Sequence, residues 1–180
     1  MSRIQPIAPE TATGQAKELL GAVKAKMGRA PNLTRGLAHS PAALNAYLQF
    51  SGALSAGVLP ATVREQIALA VAQTNSCDYC LSAHSAIGKM AGLTGDQILE
   101  ARRAASEDLA TGAILRFTAR LVEDRGHVTD ADLETLRQAG ISDAQITEIV
   151  ANVALNIFTN YFNHVAETEI DFPKAEVLTV

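Results

Sequence analysis

Tryptophan is absent from this chain of 180 residues, cysteine occurs only twice, and aromatic residues make up 4%. A core built without large rings must be filled by aliphatic and small side chains. Much of the 48% hydrophobic content is alanine. Small side chains let helices approach closely, so this composition suits tightly packed helices. No segment alternates convincingly as a strand. No basic run is present and the net charge is −4, which leaves no footprint for a nucleic-acid partner. The opening Met1-Ser2-Arg3-Ile4-Gln5-Pro6 carries no apolar signal core, and no stretch is long enough to span a bilayer. The expectation is a cytoplasmic protein with no membrane association. In a reducing compartment a close cysteine pair points to catalysis, redox sensing or metal binding rather than to a structural staple.

What is present is helical punctuation. The length fits a single domain spanning 1–180, with a core over about 40–125 and C-terminal helices over about 130–168. Apolar spacing predicts an all-α fold with helices near 12–27, 41–56, 61–75, 77–91, 95–104, 107–125, 130–139 and 143–168. Gly28, Gly57, Gly92, Gly126 and Gly140 follow periodic segments as helix-ending residues do. Ser40-Pro41 reads as a cap followed by proline at the first helical position. Thr94 with Gln97, and Ser142 with Gln145, read as capping boxes. The segments Gly92–Ile98 and Gly140–Ile146 echo one another. A duplicated helical hairpin would produce this, and so would two corners reusing the same residues. Arg29-Ala30-Pro31-Asn32 and the end from Asp171 read as non-helical connection and tail.

The densest chemistry lies in Cys77-Asp78-Tyr79-Cys80-Leu81-Ser82-Ala83-His84. On a helix, positions 77, 80 and 84 fall on one face. Ser76 reads as the N-cap, which places Cys77 in the first turn, where exposed N–H groups and the helix dipole favour a thiolate. His84 lies one turn beyond Cys80 and favours a thiolate there instead. The spacing alone does not choose between the sulfurs. Two other readings compete: ordinary small core cysteines, and a zinc site in which Cys77, Cys80 and His84 are joined by Glu65, a distant histidine or water.

Glu65 precedes the apolar run Ile67–Ala72 on what must be a largely buried helix. A corner and a returning helix would bring it back toward the cysteines, where a carboxylate could orient the histidine or pass protons. It reads equally as a surface carboxylate near a helix start. Tyr79 is placed either to meet a substrate or to pack. His39 reads as a loop residue and His127 as following a helix end. His164, in Asn160-Tyr161-Phe162-Asn163-His164, reads as a hydrogen-bonded core or interface histidine or as a pocket residue.

Glu65, Cys77-x-x-Cys80 and His84, in this order and spacing, resemble the core motif of the alkylhydroperoxidase D-like group of the carboxymuconolactone decarboxylase superfamily. Arg64–Leu69, Ala30-Pro31-Asn32, His39-Ser40-Pro41, Leu59 and the closing segment from Asn163 to Pro173 extend the likeness to its peroxidase-related branch. The resemblance implies an all-helical homo-oligomer, a trimer or hexamer or else a dimer. It also implies hydroperoxide reduction without a bound cofactor or metal. Cys80 would attack the peroxide, His84 and Glu65 would relay protons, and Cys77 would resolve the sulfenic acid into a disulfide. An external thiol or disulfide reductant, protein or small molecule, would reopen that bond. Well-studied members of the group carry a histidine where this chain has Tyr79, whose unperturbed pKa of about 10 makes it a poor base. Thiol–disulfide exchange or redox sensing by the same pair is therefore the second expectation. A lactone decarboxylase, which needs no cysteine pair, is the third, and a metal-binding helical oligomer the fourth.

Overall fold

The computed structural model describes residues 1–178. Its helices are α1 (Gly14–Met27), α2 (Asn32–Leu37), α3 (Pro41–Ser55), α4 (Ala61–Thr74), α5 (Asp78–Met90), α6 (Gly95–Arg102), α7 (Leu109–Glu123), α8 (Asp130–Gln138) and α9 (Asp143–Ala166). The described residues contain no strand, and the fold is all-helical as expected. Helix α4 is central, packed on α5, α6, α7 and α9. This is why Gln66 through Ala72 is buried without interruption.

The predicted caps form. Ser40 accepts from the Ala43 N–H with Pro41 at the first helical position. Thr94 and Ser142 both close capping boxes. The two echoing corners are built alike: Gly92 and Gly140 take φ of 104° and 82°, and the following Leu93 and Ile141 N–H groups reach back to Gly88 and Leu136. These bonds satisfy orphan carbonyls at each helix end, a construction that asks for glycine and an apolar anchor in any such corner.

Three expectations need correction. Residues 32–37 form a helix, α2, where the sequence read as connection through Asn32. Pro31 pre-sets its start, and the Asp171 carboxylate accepts the Asn32 N–H, a contact 139 residues away that no local pattern carries. Gly57 is not a left-handed helix stop. The Glu148 carboxylate lies where a Gly57 side chain would go and accepts the N–H groups of Val58 and Leu59. Ser76 is not the cap of α5, as described next.

The C-terminal segment is non-helical, as read, but tightly tied. Asp171 binds Arg29, Asn32 and Tyr79, the Ala175 N–H donates to Ser82 Oγ on α5, and Arg102 donates to the Glu176 carbonyl. It forms a strap across α5.

Candidate active site at the start of α5

The site begins with a tight corner. Helix α4 ends in a Schellman motif: the Ser76 N–H bonds to the Gln73 carbonyl and the Cys77 N–H to the Ala72 carbonyl. That closure needs a left-handed residue, and Ser76 supplies it with φ 55°. Ser76 is thereby used to end α4, and Cys77 becomes the N-cap of α5. Cys77 Sγ accepts the Cys80 N–H at 3.4 Å. Only Ser76 lies between the C-cap of α4, Asn75, and the N-cap of α5.

The two sulfurs are 2.7 Å apart, free and buried, beyond the roughly 2.05 Å of a closed disulfide. Their surroundings differ. On the Cys77 side, the hydrogen bond from Cys80 pulls the thiol down most strongly; burial opposes, and the Cys80 N–H, the charge of His84 and the Asn163 amide assist. On the Cys80 side, the Cys77 sulfur and then burial push the thiol up, while the Asn163 and Asn160 amides pull the other way. These surroundings favour negative charge on Cys77 over Cys80, the two sulfurs titrating as one coupled pair.

Glu65 and His84 meet: Glu65 Oε2 lies 2.8 Å from His84 Nδ1, with both side chains about four-fifths covered. The carboxylate holds Nδ1–H and leaves Nε2 as the free base. Burial disfavours the imidazolium, but the charge and hydrogen bond of Glu65, aided by Cys77, outweigh it and raise the His84 pKa. No direct hydrogen bond joins His84 to either sulfur among the described residues. Tyr47 completes this side. Burial first, then the charges of Glu65 and Cys80, push its phenol up to about 12.

A cavity of about 400 Å³ lies on the other side of the pair, lined by Cys77, Tyr79, Asn163, His164, Glu167 and Thr168 among others. Tyr79 and His164 thus both border the site. Tyr79 nevertheless commits its hydroxyl to the scaffold. It accepts from the Leu33 N–H at 3.1 Å and donates to Asp171 Oδ1 at 2.8 Å, while its ring meets Phe172 edge-on. Burial raises its phenol pKa far above the usual range. His164 is exposed rather than a core residue. His39 bonds to the Gln5 carbonyl and His127 is exposed, both away from the pair. Among the described residues, no group of three or more His, Cys, Asp or Glu side chains is arranged to hold a metal ion.

Asn163 escaped the sequence reading as a site residue. Its Nδ2 donates to Cys80 Sγ at 3.2 Å. The polar cluster around it on an apolar helix was visible, but its aim at a sulfur 83 positions away was not.

Residues 41–124 match the model of the carboxymuconolactone decarboxylase family. No curated protein matches the chain in sequence. Among solved structures, the chain is similar to an alkylhydroperoxidase AhpD core, an uncharacterised peroxidase-related protein from Ralstonia eutropha JMP134. Identity is 27%, TM-score 0.83, and coverage 94% of this chain and 92% of that one. A peroxidase-related protein from Silicibacter sp. TM1040 aligns at 24% identity and TM-score 0.79, over 92% of this chain and 91% of that one. The debrominase Bmp8 aligns at 20% identity and TM-score 0.80, over 93% and 91%, which is a likeness of fold alone. The carboxymuconolactone decarboxylase family match covers α3 to α7, and around it the likeness to an alkylhydroperoxidase AhpD core runs almost end to end.

Proposed function

We propose that this protein is a thiol-dependent peroxidase acting on hydrogen peroxide or small organic hydroperoxides through Cys77 and Cys80. The observation that carries the reading is the sulfur pair itself: two free thiols 2.7 Å apart at a helix start, with a hydrogen-bonded Glu65–His84 pair alongside.

In this reading the resting pair shares one proton. Its transfer from Cys80 to Cys77 moves the charge onto Cys80, which attacks the peroxide. An S–O bond forms, the O–O bond breaks, and the departing alkoxide or hydroxide takes a proton from Nε2 of His84 in its imidazolium form, which Glu65 favours and positions. Cys77 then attacks the sulfenic sulfur, closing the Cys77–Cys80 disulfide and releasing water. An external thiol reopens it, reaching Cys77 from the cavity side. The chain assembles with copies of itself, and the exposed Phe158, Tyr161 and Val165 on one face of α9 offer the surface. Size-exclusion chromatography with light scattering checks that point.

The test is stopped-flow oxidation of reduced protein freed of excess reductant, with thiols counted before and after. Loss of two thiols per chain, at a rate proportional to peroxide concentration, is the expected result. A second reading is favoured by one observation, the commitment of the Tyr79 hydroxyl to Asp171, which leaves no acid or base at that position. Slow loss with peroxide but ready oxidation by a disulfide donor would identify a thiol–disulfide exchange protein instead.

A further inference from the structure

Helix α9 turns a row of buried asparagines inward: Asn152, Asn156, Asn160 and Asn163, all nine-tenths or more covered. The first two are accounted for locally. Each donates its amide to the carbonyl one turn earlier, on Glu148 and Asn152. Asn160 and Asn163 behave differently. Asn160 Oδ1 accepts from Asn75 Nδ2 at 3.0 Å, an anchor that fixes which way its amide faces. Its own Nδ2 is buried with no hydrogen-bond partner among the described residues. Asn163 Nδ2 reaches Cys80 Sγ at 3.2 Å, and its Oδ1 is likewise without a partner.

Leaving the buried Asn160 donor unpaired is costly, and a neutral thiol is a weak acceptor for the Asn163 donor; the unpaired Asn163 Oδ1 is itself an acceptor and is not met by a thiolate. A thiolate is a far better acceptor. We propose that the side-chain Nδ2 groups of Asn163 and Asn160 form a two-donor cradle for the negative charge on Cys80, two donors poorly met by a protonated sulfur and well met by an ionised one. The inference rests on the reading of Cys80 as the attacking sulfur, and it explains how that sulfur can act although Cys77 disfavours charge on it. The proton crosses between two sulfurs in contact; Asn163 also assists charge on Cys77, but its hydrogen bond is to Cys80, so the amides favour the state in which the proton has crossed. Donors fixed in a dry site act without reorganising at the moment of reaction. Asn163 touches the reacting sulfur directly; Asn160 stands beside it, held by Asn75.

Of the titratable groups nearby, Cys77 acts on Cys80 directly and Tyr47 of α3 feels its charge, whereas His84 of α5 acts on Cys77 and Glu65 of α4 acts on His84 and Tyr47. The first of these dominates, so the test removes it. In a Cys77→Ser background, Cys80 is the only thiol, and its ionisation is read from thiolate absorbance across pH. Asn163→Leu, close in volume but without a donor, is expected to raise the midpoint so that the thiolate fraction falls about tenfold at a fixed pH below it. Asn160→Leu is expected to shift it in the same direction by less. Asn163→Ala serves as a second variant should the branched side chain perturb the helix, and helicity and melting are compared throughout. A midpoint unchanged or lowered in folded Asn163→Leu or Asn163→Ala overturns the cradle. The titration uses no peroxide. Absence of peroxide turnover in the parent protein would therefore sink the peroxidase reading and leave this result to stand or fall by itself.

Discussion

Helices α4 and α9 each have two buried sides, and the two sides are made of different material. Toward α7 and α8 they contribute Ile67, Val71, Ile149 and Val153 to a cluster with Leu59, Ile114, Phe117 and Leu136, all of it aliphatic or aromatic. Toward α5 they contribute Glu65, Asn160 and Asn163, which surround Cys77 and Cys80 in a second cluster laced with hydrogen bonds. The first cluster holds the helices together without chemistry. The second accepts buried polar groups, two of them unpaired, and so surrenders stability for control of charge. One scaffold therefore keeps its strength and its reactivity on opposite sides of the same two helices.

That division predicts which substitutions separate stability from activity. Cys80→Ser should abolish peroxide-driven thiol loss, while Cys77→Ser should allow a single oxidation and leave a sulfenic acid trappable by a dimedone-type probe. The opposite pattern would reverse the roles of the sulfurs. Glu65→Gln should slow oxidation by about a hundredfold with helicity retained; equal rates would make the carboxylate a bystander. Across the divide, Ile149→Ala should cost about 2–5 kcal/mol in denaturant unfolding through the cavity it leaves, yet oxidise within about twofold of the parent rate once folded. A large rate loss there would break the comparison.

A pH series sharpens it further. The folded pKa of His84 is raised above its unfolded value, burial being outweighed by Glu65. The contribution to stability is then complete below the unfolded value of about 6.5 and is lost as pH rises through the folded value. The stability gap between parent and Glu65→Gln should accordingly be widest in mild acid and narrow toward alkaline pH. An unvarying gap would mean that the pair is not charge-coupled. The smallest effect expected is at the corner: Ser76→Gly should stabilise by about 0.5–1 kcal/mol by relieving a left-handed non-glycine residue.

Local rules were legible in the sequence and long-range pairings were not. The caps at Ser40, Thr94 and Ser142 formed as read because each involves residues three apart. The buried run on α4 followed from its unbroken apolar character. Ser76 misled because a serine before a helix is an ordinary cap, and only the preceding helix, closing on Ala72 and Gln73, converts it into a turn residue. Helix α2 was missed because a six-residue segment has little periodicity, and its first N–H is held by Asp171 from the other end of the chain. For the same reason the partners of Asn163 and Asp171 were not legible. An asparagine or aspartate declares its partner only when the fold delivers it. The Tyr79 hydroxyl, ambiguous from spacing, is resolved by two neighbours 46 and 92 positions away.

The strap has a consequence for the order in which the protein is made. Asn163, Asp171 and Ala175 all reach α5 or its neighbours from the last part of the chain, and their partners lie 83, 92 and 93 positions earlier. During synthesis the two cysteines therefore leave the ribosome well before the residues that enclose them. Contacts of such span form late, after loop closure over much of the chain. Until they do, both thiols stand in an open helical hairpin, reactive toward any passing oxidant but without the surroundings that set their charges. The surroundings of the cysteine pair are complete only when the tail crosses α5.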